Sequence, residues 1–254
     1  MEFLTAQDGT RIAFERVGSG APVLLVHGFG SSAEQNWKST GWYLSLAEAG
    51  YQAIAMDHRG HGHSGKPHDP AVYDHERMAD DLLAVMDIAG VSAAPIIGYS
   101  MGGLISLRLA LRMPQRVTKL ALGGVGSHYL TGPRVSDPEQ RTRIADALLT
   151  EDKAGITDAR ARMFRDFAEQ KGKDRLALAA CMRAMSPALA RDILNSIACP
   201  VLVVCGEKDD VAGDAAPLAA AFSNGKPITI AGRDHMSAVG ERHTRLAVLD
   251  FLKS

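Results

Sequence analysis

Hydrophobic residues fall along this chain in two alternating textures. The first is a set of short apolar runs at 23–28 (VLLVHG), 53–57 (AIAMD), 95–100 (PIIGYS), 119–124 (KLALGG), 201–206 (VLVVCG) and 227–232 (PITIAG). Most are unbroken rather than alternating with polar residues, which suits strands buried on both faces of a parallel sheet. The second texture is helical spacing between the runs, as in Met78, Leu82, Val85, Met86 and Ala89, in Leu104, Leu107 and Leu111, and in Leu246, Leu249 and Phe251. Strand then helix, repeated, predicts parallel crossovers with helices over both sheet faces. The opening differs: 2–6 and 11–17 read as strands joined through Asp8-Gly9, a dipeptide suited to positive-φ turns, and so as an antiparallel hairpin.

From about Gly126 to about Ile193 the strand rhythm stops, and helices are expected around 139–149, 156–170, 174–185 and 187–194. The chain therefore reads as one α/β core, residues 1–126 together with 194–254, interrupted by a helical insertion over 127–193. The insertion holds nine arginines, nearly offset by acids, and these read as the solvated faces of small amphipathic helices. Met163, Phe164, Phe167, Met182 and Met185 supply its apolar stripe.

Composition narrows the setting. With 46% hydrophobic and 22% charged residues over 254 positions, the chain has the make-up of a soluble globular protein. The balance of 28 Lys and Arg against 29 Asp and Glu leaves no basic field, so neither a nucleic-acid nor a membrane partner is expected. Three widely spaced cysteines, Cys181, Cys199 and Cys205, fit neither a disulfide framework nor a zinc site and predict a reducing, cytoplasmic setting. No apolar run approaches the roughly 20 residues of a membrane span, and no leader pattern opens the chain.

In open α/β sheets, sites form at the carboxyl ends of the strands, so those ends hold the candidate chemistry. Gly98-Tyr99-Ser100-Met101-Gly102-Gly103 places a serine in G-x-S-x-G directly between an apolar run and a helical one. A nucleophile on such a tight turn needs neighbours without a Cβ, and the following helix aims its unpaired N–H groups at developing negative charge. Serine also needs a base oriented by a carboxylate. The strand at 201–206 runs into Glu207, Asp209 and Asp210, and that at 227–232 runs into Asp234 and His235. The order Ser, acid, His is the one expected of a nucleophile-elbow hydrolase. His243 is a second histidine, but it falls inside the last helical segment. The run His58-Arg59-Gly60-His61-Gly62-His63, with His68 and His75 nearby, lacks a carboxylate or cysteine to complete a ligand set, and no metal is expected. Asn36, Trp37 and Trp42 read as parts of an amphipathic helix.

These motifs together resemble the α/β-hydrolase family, serine-hydrolase branch. His27-Gly28-Phe29-Gly30 matches its oxyanion loop; Asp57, Arg59, Gly60, Gly62 and Ser64 match D-x-R-G-x-G-x-S; Gly98, Ser100 and Gly102 match the elbow; Gly206 and Asp209 match the acid loop; and His235 matches the base. The resemblance implies a mostly parallel sheet flanked by helices, with 127–193 as a helical cap. It also implies Ser100 as nucleophile, His235 as base, Asp209 as its orienting acid, and the N–H groups of Phe29 and Met101 as oxyanion hole.

The function so implied is cleavage of an ester-type bond in a small or medium, largely apolar molecule through an acyl-enzyme, with no cofactor. Thioesterase, lactonase, carbon–carbon bond hydrolase and perhydrolase or haloperoxidase activities use the same residues. A slow-turnover ligand-binding receptor is the alternative from another class. Serine at the elbow argues against the epoxide hydrolases and haloalkane dehalogenases of this architecture, which carry Asp there. Met236-Ser237-Ala238 after the base, with no tryptophan, argues against the carbon–carbon hydrolases. Met163, Phe164, Phe167, Met182 and Met185, with Phe29 and Met101 below, suggest a hydrophobic pocket, although such a stripe is more often the core of the cap itself. Oligomeric state is not legible at this level.

Overall fold

Eight strands form one sheet: β1 (Glu2–Thr5), β2 (Arg11–Val17), β3 (Ala21–Val26), β4 (Tyr51–Met56), β5 (Ala94–Tyr99), β6 (Val117–Gly123), β7 (Val201–Gly206) and β8 (Gly225–Ile230). Their spatial order is β1-β2-β4-β3-β5-β6-β7-β8. The structure, a computed structural model, describes residues 1–131 and 137–254. β2 runs antiparallel to both neighbours, and from β4 to β8 every pairing is parallel. The expected hairpin is present: Thr5 pairs with Arg11, and Gly9 sits at φ 83° in the turn between them.

The unbroken apolar runs follow from burial on both faces. Side chains alternate along a strand, and each central strand divides its residues between two cores. Leu24, Val26, Ile54, Met56, Ile96, Leu120, Leu122 and Val203 enter one. Val23, Leu25, Ala53, Ala55, Ile97, Ala121, Leu202 and Val204 enter the other. Helices α1 (Trp42–Glu48), α2 (His75–Ile88) and α3 (Met101–Arg112) connect the first strands. α2 and α3 pack into the first core through Met78, Leu82, Ile105 and Leu109. α1 and the last helix cover the second through Trp42, Leu46, Val248 and Leu252. The aromatics at 37 and 42 are buried as expected, although Glu34–Lys38 is a π-helical turn rather than part of one α-helix.

Between β6 and β7 lie α4 (His128–Thr131), α5 (Pro138–Leu149), α6 (Ala159–Ala168), α7 (Arg175–Ala184) and α8 (Arg191–Asn195). α9 (Ala215–Ala219) and α10 (Arg242–Lys253) complete the chain. α5, α6 and α7 each begin on an aspartate, Asp137, Asp158 and Asp174, whose side chain accepts first-turn N–H groups. Some of the insertion's acids are thus caps rather than solvated faces. The helix expected over 187–194 is observed as the shorter α8, which begins only after Ala190. Of the nine arginines, Arg134 lies outside the described residues. Arg165 departs from the solvated reading: it is buried, and its guanidinium donates to the carbonyls of Ala147 (2.8 Å) and Thr150 at the end of α5.

Candidate active site

Ser100 stands between the last residue of β5 and the first of α3 with φ 51° and ψ −119°, the one positive-φ residue other than glycine among the described residues. Such a conformation costs on the order of 1–3 kcal/mol and persists only where the surroundings over-determine it. Here the Ser100 N–H donates to Gly123 O (2.7 Å), and its carbonyl accepts from the N–H groups of Gly103 (2.9 Å) and Leu104 (3.2 Å). The flanking glycines are sterically required. A Cβ on Gly102 would stand 2.0 Å from Val26 O, and one on Gly98 2.7 Å from both Gly102 O and Gly103 Cα.

The acid and base sit on the loops after β7 and β8. Those loops are laced together: Glu207 N–H donates to Ile230 O (2.9 Å) and Lys208 N–H to Arg233 O (2.8 Å). The lacing brings His235 Nδ1 to 2.9 and 3.0 Å from the two oxygens of Asp209, and His235 Nε2 to 3.1 Å from Ser100 Oγ. A carboxylate only accepts, so Nδ1 carries the ring proton and Nε2 is left to accept from the serine hydroxyl. The Asp209 carboxylate also accepts from Val211 N–H (3.0 Å) and Ala212 N–H (2.8 Å). Tyr99 OH donates to His235 O (2.5 Å), which fixes the backbone behind the ring.

Across from the histidine, Gly28 lies against the elbow, where a Cβ would meet Ser100 Cβ at 3.3 Å. Its N–H donates to Asn36 Oδ1 (2.9 Å), and its carbonyl accepts from His27 Nδ1 (2.8 Å). Phe29 follows with its N–H on the same loop. Met101 opens α3, and the first N–H groups of a helix have no intrahelical acceptor.

The matches to known proteins agree with this fold. A family model described as alpha/beta hydrolase fold matches residues 21–181. The chain belongs to that family. A hydrolase from Pseudomonas aeruginosa PA01 superposes with a TM-score of 0.81 at 27% identity, covering 100% of this chain and 98% of that one. An enol-lactonase from Burkholderia xenovorans LB400 gives 0.72 at 26% identity, with 100% of both chains covered. Bifunctional epoxide hydrolase 2 of Sus scrofa is 29% identical over 161 residues, which is 62% of this chain and 28% of that protein. The chain thus spans about a quarter of that relative's length.

On this α/β-hydrolase frame the sequence-predicted residues separate cleanly. Ser100, Asp209 and His235 are brought into one hydrogen-bonded line, and Phe29 and Met101 flank it. The competing groups make other contacts. Glu207 accepts from Gly232 N–H (2.7 Å), the exposed Asp210 pairs with Arg160 (3.3 Å), and His243 is exposed beside Glu241. Asp234, next to the base, accepts from Ser237 N–H (2.8 Å) and shapes that turn. The D-x-R-G-x-G-x-S loop is scaffolding. Arg59 is buried in a two-pronged pair with Asp81 (both 2.7 Å), and Asp57 accepts from Ala33 N–H (2.8 Å) and His63 N–H (2.7 Å). A Cβ on Gly62 would collide with the Asp57 carboxylate at 2.1 Å.

A cavity of about 310 Å³ opens above Ser100 and His235. Met163, Phe164, Phe167, Met182 and Met185, the apolar stripe of the insertion, all line it. Phe164 meets the Phe29 ring edge-on at 5.7 Å. Asn36 and Tyr99 brace the loop at Gly28 and the backbone of His235, contacts that the sequence did not announce. The one signal for Asn36 was a polar residue set among buried aromatics.

Proposed function

We propose that this chain is a serine hydrolase that cleaves an ester-type bond of a small or medium, largely apolar substrate through an acyl-enzyme on Ser100. The observation that carries the proposal is the unbroken line from Asp209 through His235 to Ser100 Oγ, with contacts of 2.9 and 3.1 Å. As Ser100 Oγ attacks the carbonyl carbon, His235 Nε2 takes the hydroxyl proton, and Asp209 stabilises the imidazolium and holds its tautomer. The N–H groups of Phe29 and Met101 bind the oxyanion, a contribution of about 3 kcal/mol per donor where such groups have been removed. Collapse breaks the bond to the leaving oxygen, which departs with the proton from His235. Water then gives its proton to His235, its oxygen attacks the acyl carbon, and the acid is released as Ser100 recovers its hydrogen.

Residues 127–193 act as a cap over this centre, on a core of 1–126 and 194–254. That reading is supported by the way Phe164 and Phe167 reach the oxyanion loop, where a Cβ on Gly30 would meet the Phe167 ring at 2.7 Å. Serine at the elbow favours acyl transfer over the epoxide opening named for the pig relative. A lactone substrate, as in the Burkholderia neighbour, undergoes the same acyl transfer with the leaving oxygen tethered. The three cysteines are unpaired, and no helix among the described residues is long and apolar enough to cross a membrane, which supports a cytoplasmic, small-molecule enzyme. Rates on matched ester, thioester and lactone panels test the reading. Esters or lactones turned over in preference to thioesters are expected, and a folded protein that hydrolyses none of them contradicts it.

A further inference from the structure

The cavity above Ser100 is apolar over most of its wall, yet it contains a buried polar side chain with nothing to bind. His75 opens α2, lines the cavity and is 2% exposed. Its Nε2 has no hydrogen-bond partner among the described residues. A buried polar group left unpaired destabilises the folded chain, and a binding partner supplied by a ligand would remove that cost. The backbone beneath it is pinned, since His75 N–H donates to Ser186 Oγ (3.0 Å). Burial first, and the charges of Arg108 and Arg141 second, push the His75 ring down to about 3, so near neutral pH it offers one N–H and one lone pair rather than a cation.

Two hydroxyls line the same cavity. The Ser186 oxygen accepts from His75 N–H, and the Tyr129 oxygen accepts from Leu189 N–H (2.9 Å), which leaves each hydroxyl hydrogen to donate. Distance along α3 sets the scale. Leu104, which lines the cavity, is one turn past Ser100; Arg108, whose guanidinium donates to Pro187 O (2.6 Å) next to Ser186, is two turns past it. At the helical rise those steps are roughly 6 and 12 Å, so an acyl chain of a few carbons covers the first and its far end points toward the second. Met101, Leu104 and Met182 give that chain an apolar wall.

We propose that His75, with the hydroxyls of Ser186 and Tyr129, recognises an oxygen function, whether oxo, hydroxyl or carboxyl, carried a few carbons from the scissile carbonyl on the acyl side. This deepens the serine-hydrolase reading and rests on it. The substrate class becomes short acyl esters or lactones with an oxygenated far end, rather than plain alkanoates.

The test is kcat/KM on methyl esters of butanoic to hexanoic acids beside their oxo, hydroxy and half-ester carboxyl counterparts, with binding of the same esters to Ser100→Ala by calorimetry. At least one oxygenated ester is expected to exceed its plain parent by about five- to tenfold in both measurements, and its chemistry identifies which oxygen function is read. In His75→Leu the ratio collapses to about twofold or less; His75→Gln keeps part of it, and Tyr129→Phe loses a smaller part. If Ser100 reacts with a fluorophosphonate but no oxygenated ester is preferred, or the preference survives in His75→Leu, or it resides on the alcohol side, this proposal is overturned and the serine-hydrolase reading stands. If Ser100 does not react while Ser100→Ala still discriminates among the esters, the recognition stands and the serine-hydrolase reading fails.

Discussion

The floor and the roof of the cavity are built by different means. In the floor, at the carboxyl ends of β5, β7 and β8, backbone closure dictates the residues. Gly102 has no room for a Cβ, Ser100 holds a positive φ, and the loops carrying Asp209 and His235 are tied by main-chain hydrogen bonds. In the roof, α6 and α7 present side-chain tips, such as Phe164 against Phe29 at 5.7 Å, where shape and volume decide and many apolar residues would serve. The difference teaches where each kind of information resides. The floor specifies the type of reaction, and the roof, with His75 beside it, specifies what is brought to it.

The comparison can be broken first at the acid. Asp209→Asn should lower kcat by about 10⁴, because an amide does not hold the ring in the tautomer that accepts the serine proton. Asp210→Asn, one residue on but exposed and paired with Arg160, should change kcat by less than about threefold. Equal losses at the two positions would mean that backbone placement is not what selects the acid.

Smaller, and drawn from both regions, is the response of stability to acid. His27, His58, His61 and His75 are buried, and burial, the largest influence on each, depresses them all, His61 and His75 to about 3. The unfolded chain therefore takes up protons below pH ~6.5 that the folded chain refuses. Stability is fully present above that pH and declines as pH falls from there toward about 3, by up to about 1.4 kcal/mol per pH unit for each of His61 and His75, with His27 and His58 acting in the same direction. Urea midpoints at pH 7, 6 and 5 check this, and a flat series would contradict neutral burial.

The smallest effect belongs to the roof. Phe164→Ala should shift the ratio of kcat/KM between long and short acyl esters by about three- to tenfold, as expected for volume in an apolar pocket. A loss on the scale of Asp209→Asn would show that the roof takes part in the chemistry.

The same division explains what was legible in the sequence. The sheet was readable because strands buried on both faces need unbroken apolar runs, and Val23 to Val26 feed two cores in alternation. The turn at Gly98, Ser100 and Gly102 was readable because its tight geometry leaves few residues able to occupy it, and Asp209 and His235 because they follow strand ends on the same edge of the sheet. Asn36, Tyr99 and His75 were not, since each acquires its role from a neighbour that the fold supplies. Tyr99 reaches across 136 residues to the carbonyl of His235, and nothing local announces it. The helix expected over 187–194 is present only as Arg191–Asn195, starting later than the spacing of residues suggested.

The central claim is that Ser100 is a nucleophile activated by His235 and held by Asp209. Reaction of the folded protein with a fluorophosphonate, located by peptide mass spectrometry, tests it most directly. The account predicts one adduct per chain, on Ser100, absent in Ser100→Ala and formed far more slowly in His235→Ala. A folded wild-type chain left unlabelled, or labelled at another residue, would contradict it.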